Sequence, residues 1–222
     1  MKKSSYYPLY LNIADRKCIV VGGGQVALRK VKTLLEYSAR VEVISPDLCA
    51  DLEKLAGANE INTVDREYQY GDLKEARIVI AATDDSDVNL KVVKEARDRG
   101  ILINVVDCAE ESDFILPSYL RRGDITIAVS TSGRSPALAR KIRTKLERDF
   151  GNEYESLAVL VNEVRTEIRQ RGIKINSEDW QTALDLDLLT ALLKQGKSEQ
   201  AKAILLENLV TSKSRGKLTN AT

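Results

Sequence analysis

Residues 19–27 read IVVGGGQVA, and this stretch decides the fold. A β-branched run ends in three glycines, and the residues that follow, QVALRKVKTLLEYS (25–38), place Val26, Ala27, Val31, Leu34 and Leu35 at helical spacing. Gly22, Gly24 and Ala27 fit G-x-G-x-x-G/A between a strand and a helix, the context that separates a dinucleotide fingerprint from chance glycines. Gly22 is expected to make the tight turn and Gly24 to let the backbone approach a pyrophosphate. Ala27 is expected to let the helix pack close on the strand. The helix start at Gln25 and Val26 then presents its amides and dipole to the phosphates, with Gly23 completing the loop.

Working outward, further strands are expected at RVEVIS (40–45), INTVDREY (61–68), RIVIAATD (77–84) and ILINVVD (101–107). Helices are expected between them, notably SDVNLKVVKEARDRG (86–100), which stops at Gly100. Continuous apolar strands alternating with helices predict an α/β, Rossmann-type doubly wound parallel sheet, here residues 1–113. The pattern changes at FILPSYLRRGDITIAVSTS (114–132), two extended runs around RRGD that read as a hairpin. SPALARKIRTKLERDF (135–150) follows as a helix with Ser135 as cap and Pro136 at its first position. Residues 114–150 thus form an extended segment and a helix. Residues 151–222 form a small all-helical region, with the stripe Leu157, Leu160, Val161, Val164 and Ile168 as packing surface. One helix is expected from Ser177, as cap, to Gly196, and a disordered polar tail from about residue 211.

Composition removes several classes. Lys and Arg total 34 against 33 Asp and Glu, so no global charge calls for nucleic acid or an anionic membrane. No stretch approaches a membrane span and no signal-type apolar block follows the first lysines, so the protein is read as cytoplasmic. Three scattered cysteines fit neither a disulfide framework nor a zinc site, and Cys108 is read as a small apolar residue. There is no histidine, so proton or metal chemistry falls to carboxylates, hydroxyls, lysine, tyrosine or cysteine.

Ligands of open α/β sheets bind at the carboxyl ends of the strands. Asp107, ending ILINVVD, is therefore read either as a base in the glycine-loop crevice or as a cap of the next turn. Thr83 and Asp84 close the preceding strand and are read as cofactor contacts or as turn residues. Ser45 stands at the tip of the second strand, where a ribose hydroxyl would be bound, and no arginine stands there to recruit a 2′-phosphate; NAD is preferred to NADP. The basic run from Arg121 to Lys145 is opposed only by Asp124. Within it Thr131, Ser132, Gly133, Arg134 and Ser135 lead into a helix start, a geometry suited to anions.

With these segments together the sequence resembles the precorrin-2 dehydrogenase / sirohydrochlorin ferrochelatase family, the dehydrogenase module of siroheme synthases. The resemblance rests on YPLYLNIADRKCIVVGGGQVALRKVKTLL (7–35), IAATDDSDVN (80–89), NVVD (104–107) and FILPSYLRRGDITIAVSTSGRSPALARKIR (114–143). It implies NAD-dependent oxidation of precorrin-2 to sirohydrochlorin, and in some members insertion of ferrous iron as a second substrate. It implies a homodimer built through the extended segment and assigns the family's functional aspartate to Asp107, which would contact iron transiently rather than as a fixed ligand. The 131–135 loop would hold substrate carboxylates. A reading from another class, a regulatory Rossmann module that senses NAD without catalysis, accounts for the glycines but not for the basic loop.

Overall fold

The computed structural model describes residues 6–219, with side chains described through Thr211. The chain divides into two compact units, Met1–Leu116 and Pro117–Thr222. Among the described residues no helix is long and apolar enough to cross a membrane.

The first unit runs β1 (Lys17–Val21), α1 (Gln25–Glu36), β2 (Arg40–Ile44), α2 (Ala50–Gly57), β3 (Asn62–Val64), β4 (Ile78–Ala81), α3 (Ser86–Arg99) and β5 (Leu102–Val105). The strands pair in parallel in the order β3-β2-β1-β4-β5. From β1 the chain steps outward one way to β3, then returns to the other side of β1 with β4. The strand order therefore reverses between β1 and β4, where such sheets open a crevice at their carboxyl ends. β1 shows why its residues from Cys18 onward are apolar without a break. Cys18 and Val20 pack into one cluster with Ala27, Leu28 and Val31 of α1. Ile19 and Val21 pack into the other with Val92, Val93 and Ala96 of α3. Successive side chains point to opposite faces, and both faces are covered. The register aligns Val21 with Ile44 and with Ala81, and Ala81 with Val105, so the strands end level at the crevice.

Three strands are shorter than expected, among them β4, which spans Ile78–Ala81 of the run 77–84. β3 ends at Val64, because the Arg66 amide turns back to the Val64 carbonyl at 2.9 Å and its guanidinium holds both oxygens of Asp72 at 2.8 Å. β5 stops at Val105, and Asp107 sits in the turn beyond it rather than in the strand.

The second unit holds an antiparallel hairpin, β6 (Ser118–Arg122) and β7 (Ile125–Val129), turned at Gly123 with φ +55°. Then follow α4 (Pro136–Asp149), α5 (Glu153–Gln170), α6 (Ser177–Ala183), α7 (Leu186–Lys194) and α8 (Ser198–Thr219). Leu157, Leu160, Val164 and Ile168 of α5 form a core with Leu189 and Leu192 of α7 and Ala201, Leu205 and Leu209 of α8, with Trp180 packed at its margin.

Three expectations for this unit are corrected. The single helix from Ser177 to Gly196 is two helices, because Asp185 interrupts it and caps α7 by accepting from the Leu188 amide at 3.0 Å. The cap of α6 is Asn176, accepting from Asp179 at 2.7 Å, rather than Ser177. The backbone from Thr211 to Thr219, read as a polar disordered tail, continues α8, and the segment has no proline to stop it. The rest of that tail, residues 220–222, lies outside the described residues.

Candidate active site

Three glycines after β1 meet three different demands. Gly22 has φ +123°, and a Cβ there would lie 2.4 Å from the Ala82 carbonyl oxygen, so β1 and the end of β4 can touch only without a side chain. A Cβ on Gly23 would lie 1.8 Å from the Asp47 carbonyl oxygen, so the loop also fits tightly against the turn after β2. Gly24 faces open space, with nothing within 4 Å of a Cβ. It is also the cap residue of α1, and it lacks a side-chain cap. The first turn of α1 holds no acidic residue, and Gln25 and Val26 are exposed. The amides of a first helical turn have no intrahelical partner, so a positive pole faces the gap in front of Gly24. These residues fit a dinucleotide pyrophosphate.

Ser45 is buried, at 8% exposure, and its hydroxyl donates to the Asp47 carbonyl at 2.7 Å. Its proton is committed to shaping the turn, so toward a ribose it offers only an acceptor. Thr83 lies beside the glycine loop, its amide 3.2 Å from a Cβ placed on Gly22. Its hydroxyl lies 2.9 Å from both the Asp85 carbonyl and Asn89 Oδ1, and Asn89 Nδ2 donates to the Thr83 carbonyl at 2.9 Å. Asp84 is exposed in the same turn, while Asp85 caps α3 by accepting from Asp87 and Val88. Asn89 thus shapes the crevice, although its sequence context shows only a polar residue near a helix start.

Asp107 is exposed, with φ +59°, two residues past the end of β5. It therefore stands at the same edge of the sheet as Gly22, with β4 between, roughly 10 Å across two strand spacings. Lys30 of α1 lies within electrostatic reach. Burial and the neighbouring Arg29 hold the Lys30 ammonium below its ordinary pKa, and Asp107 opposes them. Nothing in the linear sequence marks Lys30 as a neighbour of Asp107; the packing of α1 on the sheet brings them together. Cys108 packs partly buried against the α3-side cluster, as a small apolar residue does. Among the described residues no group of three or more Cys, Asp or Glu side chains is placed to hold a metal ion.

In the second unit the loop before α4 is more self-contained than the sequence suggests. Thr131 Oγ1 accepts from the Ser135 amide at 2.9 Å, Ser130 Oγ from Ser132 at 3.0 Å and Ser135 Oγ from Leu138 at 3.2 Å. The Arg134 amide donates to the Thr131 carbonyl at 3.1 Å. Ser132 and Gly133 both have positive φ, which folds the loop back on itself. The loop offers an anion hydroxyl protons and the exposed Arg134 side chain more than bare amides. Part of the basic run serves structure instead: Arg122 donates to the Phe150 carbonyl at 3.0 Å, and Arg143 pairs with Glu147.

Comparison with known proteins follows the same division. Residues 9–118 match the family described as "Putative NAD(P)-binding", and residues 122–149 match the family described as "Sirohaem biosynthesis protein central". The chain is 38% identical over 208 residues to a siroheme synthase of Thioalkalivibrio sulfidiphilus, covering 93% of this chain and 42% of the relative. It is 38% identical over 202 residues to a siroheme synthase of Nitrosococcus oceani, covering 90% of this chain and 43% of the relative. It thus spans less than half the length of these siroheme synthases. Among solved structures, SirC, a precorrin-2 dehydrogenase, has the same fold with a TM-score of 0.74 at 23% identity, covering 91% of this chain and 100% of its own. The chain is thus similar to siroheme synthases over less than half of their length, with an NAD(P)-binding match followed by a match to the sirohaem biosynthesis central segment.

Proposed function

We propose that the chain is an NAD-dependent dehydrogenase that oxidises precorrin-2 to sirohydrochlorin, acting as a cytoplasmic homodimer joined through residues 114–150. One observation carries the reading: the open face of Gly24 at the start of α1 and the exposed carboxylate of Asp107 lie at one edge of one parallel sheet. That edge supplies an anion-binding helix start and a base, the two things a hydride-transferring oxidation of a carbon framework needs.

NAD, when bound, supplies the hydride acceptor. The chain's own residues do the rest. Gly24 keeps a side chain out of the pyrophosphate path, Gly22 and Gly23 let the loop close against Ala82 and Asp47, and the amides of Gln25 and Val26 bind the pyrophosphate charge. Ser45, Thr83 and Asp84 line the turns on either side, with NAD preferred to NADP because the β2 tip carries Ser45 and no arginine. Asp107 takes the proton that leaves the macrocycle as the hydride departs. Thr131, Ser132, Gly133, Arg134 and Ser135 bind acetate and propionate groups of the substrate by charge-assisted hydrogen bonds. Much of the rate enhancement comes from orientation, which holds the reacting carbon against the acceptor.

The test is direct. Purified protein is incubated with precorrin-2 and NAD while NADH absorbance and the pigment spectrum are followed. NADH should form in step with the sirohydrochlorin spectrum, and Asp107→Ala should lower the rate by at least about a hundredfold while still binding NAD. Protein that binds NAD but leaves precorrin-2 unchanged would instead be a nucleotide sensor. Ferrous iron added after the oxidation tests whether the same carboxylate also serves metal insertion, with iron as substrate.

A further inference from the structure

The turn that carries Asp107 is braced by a hydroxyl to which the chemistry above gives no part. β5 is the outermost strand on its side of the sheet. The Val106 amide, just past its end, donates to Ala81 of β4 at 2.9 Å, so in alternation the amides of Ile103 and Val105 face the open side. There the chain folds back. Ile103 donates to the Asp113 carboxylate at 3.1 Å, and the Asp113 amide donates to the Ile103 carbonyl at 2.8 Å. Asn104 Nδ2 donates to the Phe114 carbonyl at 2.9 Å.

Ser112 completes this return. Its Oγ accepts from the Val105 amide at 2.9 Å and lies 2.7 Å from the Cys108 carbonyl and 3.2 Å from the Val105 carbonyl, the nearer of which takes its proton. The residues it joins, Val105 and Cys108, bracket Asp107. They are also linked directly, the Cys108 amide donating to the Val105 carbonyl at 3.2 Å. Between them Asp107 is held at φ +59°, the left-handed region that non-glycine residues enter uncommonly and aspartate more readily than most.

We propose that Ser112 is the positioning residue for Asp107: its half-buried hydroxyl spans the turn and fixes the direction in which the carboxylate leaves the sheet. The proposal rests on the dehydrogenase reading and names the device that orients its base. Ser112 touches neither substrate nor cofactor in this role. It acts only through Asp107, and this gives it a signature that a general contribution to folding lacks.

The experiment compares Ser112→Ala, Ser112→Thr, Asp107→Ala and the Ser112→Ala/Asp107→Ala double variant in the full chain. It measures kcat for precorrin-2 oxidation and Kd for NAD. Ser112→Ala is expected to lower kcat by about tenfold, since small misplacements of a reacting group are magnified in rate. The NAD Kd should stay within about twofold, and Ser112→Thr, which keeps the hydroxyl, should recover most of the rate. Against the residual rate of Asp107→Ala, removing the Ser112 hydroxyl should make no further difference, because interacting residues do not add. Ser112→Cys keeps the shape with weaker bonds and carries the same expectation as Ser112→Ala if the alanine variant is recovered poorly. Wild-type kcat in Ser112→Ala, or an equal loss in the presence and absence of Asp107, overturns the positioning role while the dehydrogenase reading stands. A wild-type protein that does not turn over precorrin-2 overturns that reading and the role of Ser112 with it.

Discussion

Gly23 and Gly24 are neighbours in the chain with opposite reasons for lacking a side chain. At Gly23 the obstacle is the protein's own backbone, since a Cβ would sit 1.8 Å from the Asp47 carbonyl oxygen. At Gly24 the chain offers no obstacle at all. The two alanine variants should therefore separate stability from binding. Gly23→Ala should destabilise the protein by about 1–3 kcal/mol or more, as overpacking does, visible as a lower urea midpoint. Gly24→Ala should keep the wild-type midpoint and lose NAD affinity by isothermal titration. The sequence motif makes both positions glycine and cannot tell these reasons apart, because the obstacle at Gly23 comes from the turn after another strand. Cys18 illustrates the same limit. In the sequence it is one of three thiols, but between the sheet and α1 it is fully buried, and burial pushes its pKa up to about 11. It behaves there as an apolar residue rather than a nucleophile.

At the scale of elements, α3 is fastened at both ends. Asp85 caps its start, and Gly100, with φ +68°, ends it. Its buried face carries Glu95, fully enclosed, which accepts from the Tyr68 hydroxyl and from the Gly71 amide at 2.8 Å and pairs with Arg99 at 2.6 Å. Burial alone would raise the Glu95 pKa, but the Tyr68 hydroxyl, the Gly71 amide and Arg99 together outweigh it and hold the carboxyl below its ordinary 4.5. The same burial and the bond to Glu95 push the Tyr68 phenol far above its usual range. A carboxyl whose folded pKa is depressed stabilises the fold above its unfolded value and ceases to do so as pH falls through the folded one. The contribution is therefore complete above about pH 5 and disappears below 4.5 as Glu95 takes up a proton. Glu95→Gln should be less stable than wild type at pH 7, and its urea midpoint should fall less between about pH 5 and pH 3. A wild-type acid slope in that variant would show that Glu95 is not a source of acid sensitivity.

Strand and helix identity were legible because strands such as β1 and β4 carry buried apolar residues on both faces and each helix only a stripe. IVV before the glycines and ILINVV before Asp107 therefore stand out on their own. Element ends were less legible. Asp185 divides a continuous leucine-rich run only because its side chain caps α7, and Arg66 ends β3 only because Asp72 lies where a fork can reach it. Similar limits apply to the site. Gly22 and Asp107 can be read from motif and strand end, whereas Asn89, Lys30 and Ser112 enter only once the chain is folded.

For the molecule as a whole, the division into Met1–Leu116 and Pro117–Thr222 puts the glycine loop and Asp107 in one unit and the Thr131–Ser135 loop in the other. Nucleotide binding should then leave a localised mark. With NAD at about a hundred times its Kd, linkage supplies about 2.7 kcal/mol of added stability. Hydrogen exchange should slow in the first turn of α1 and in the Thr83–Asp85 turn; unchanged exchange at both would contradict the placement of the cofactor. The family comparison divides the chain at nearly the same place, one match ending at residue 118 and the next beginning at 122.

The way the sheet is finished on its two sides bears on how the protein behaves when crowded. An outer strand with unsatisfied amides is a template on which another molecule can polymerise. Here one outer strand, β3, is only three residues long, and along the other the Ile103 and Val105 amides are already taken by Asp113 and Ser112. Neither flank offers a stranger's backbone a row of vacant donors, so concentrated solutions should resist fibril growth seeded from the native sheet.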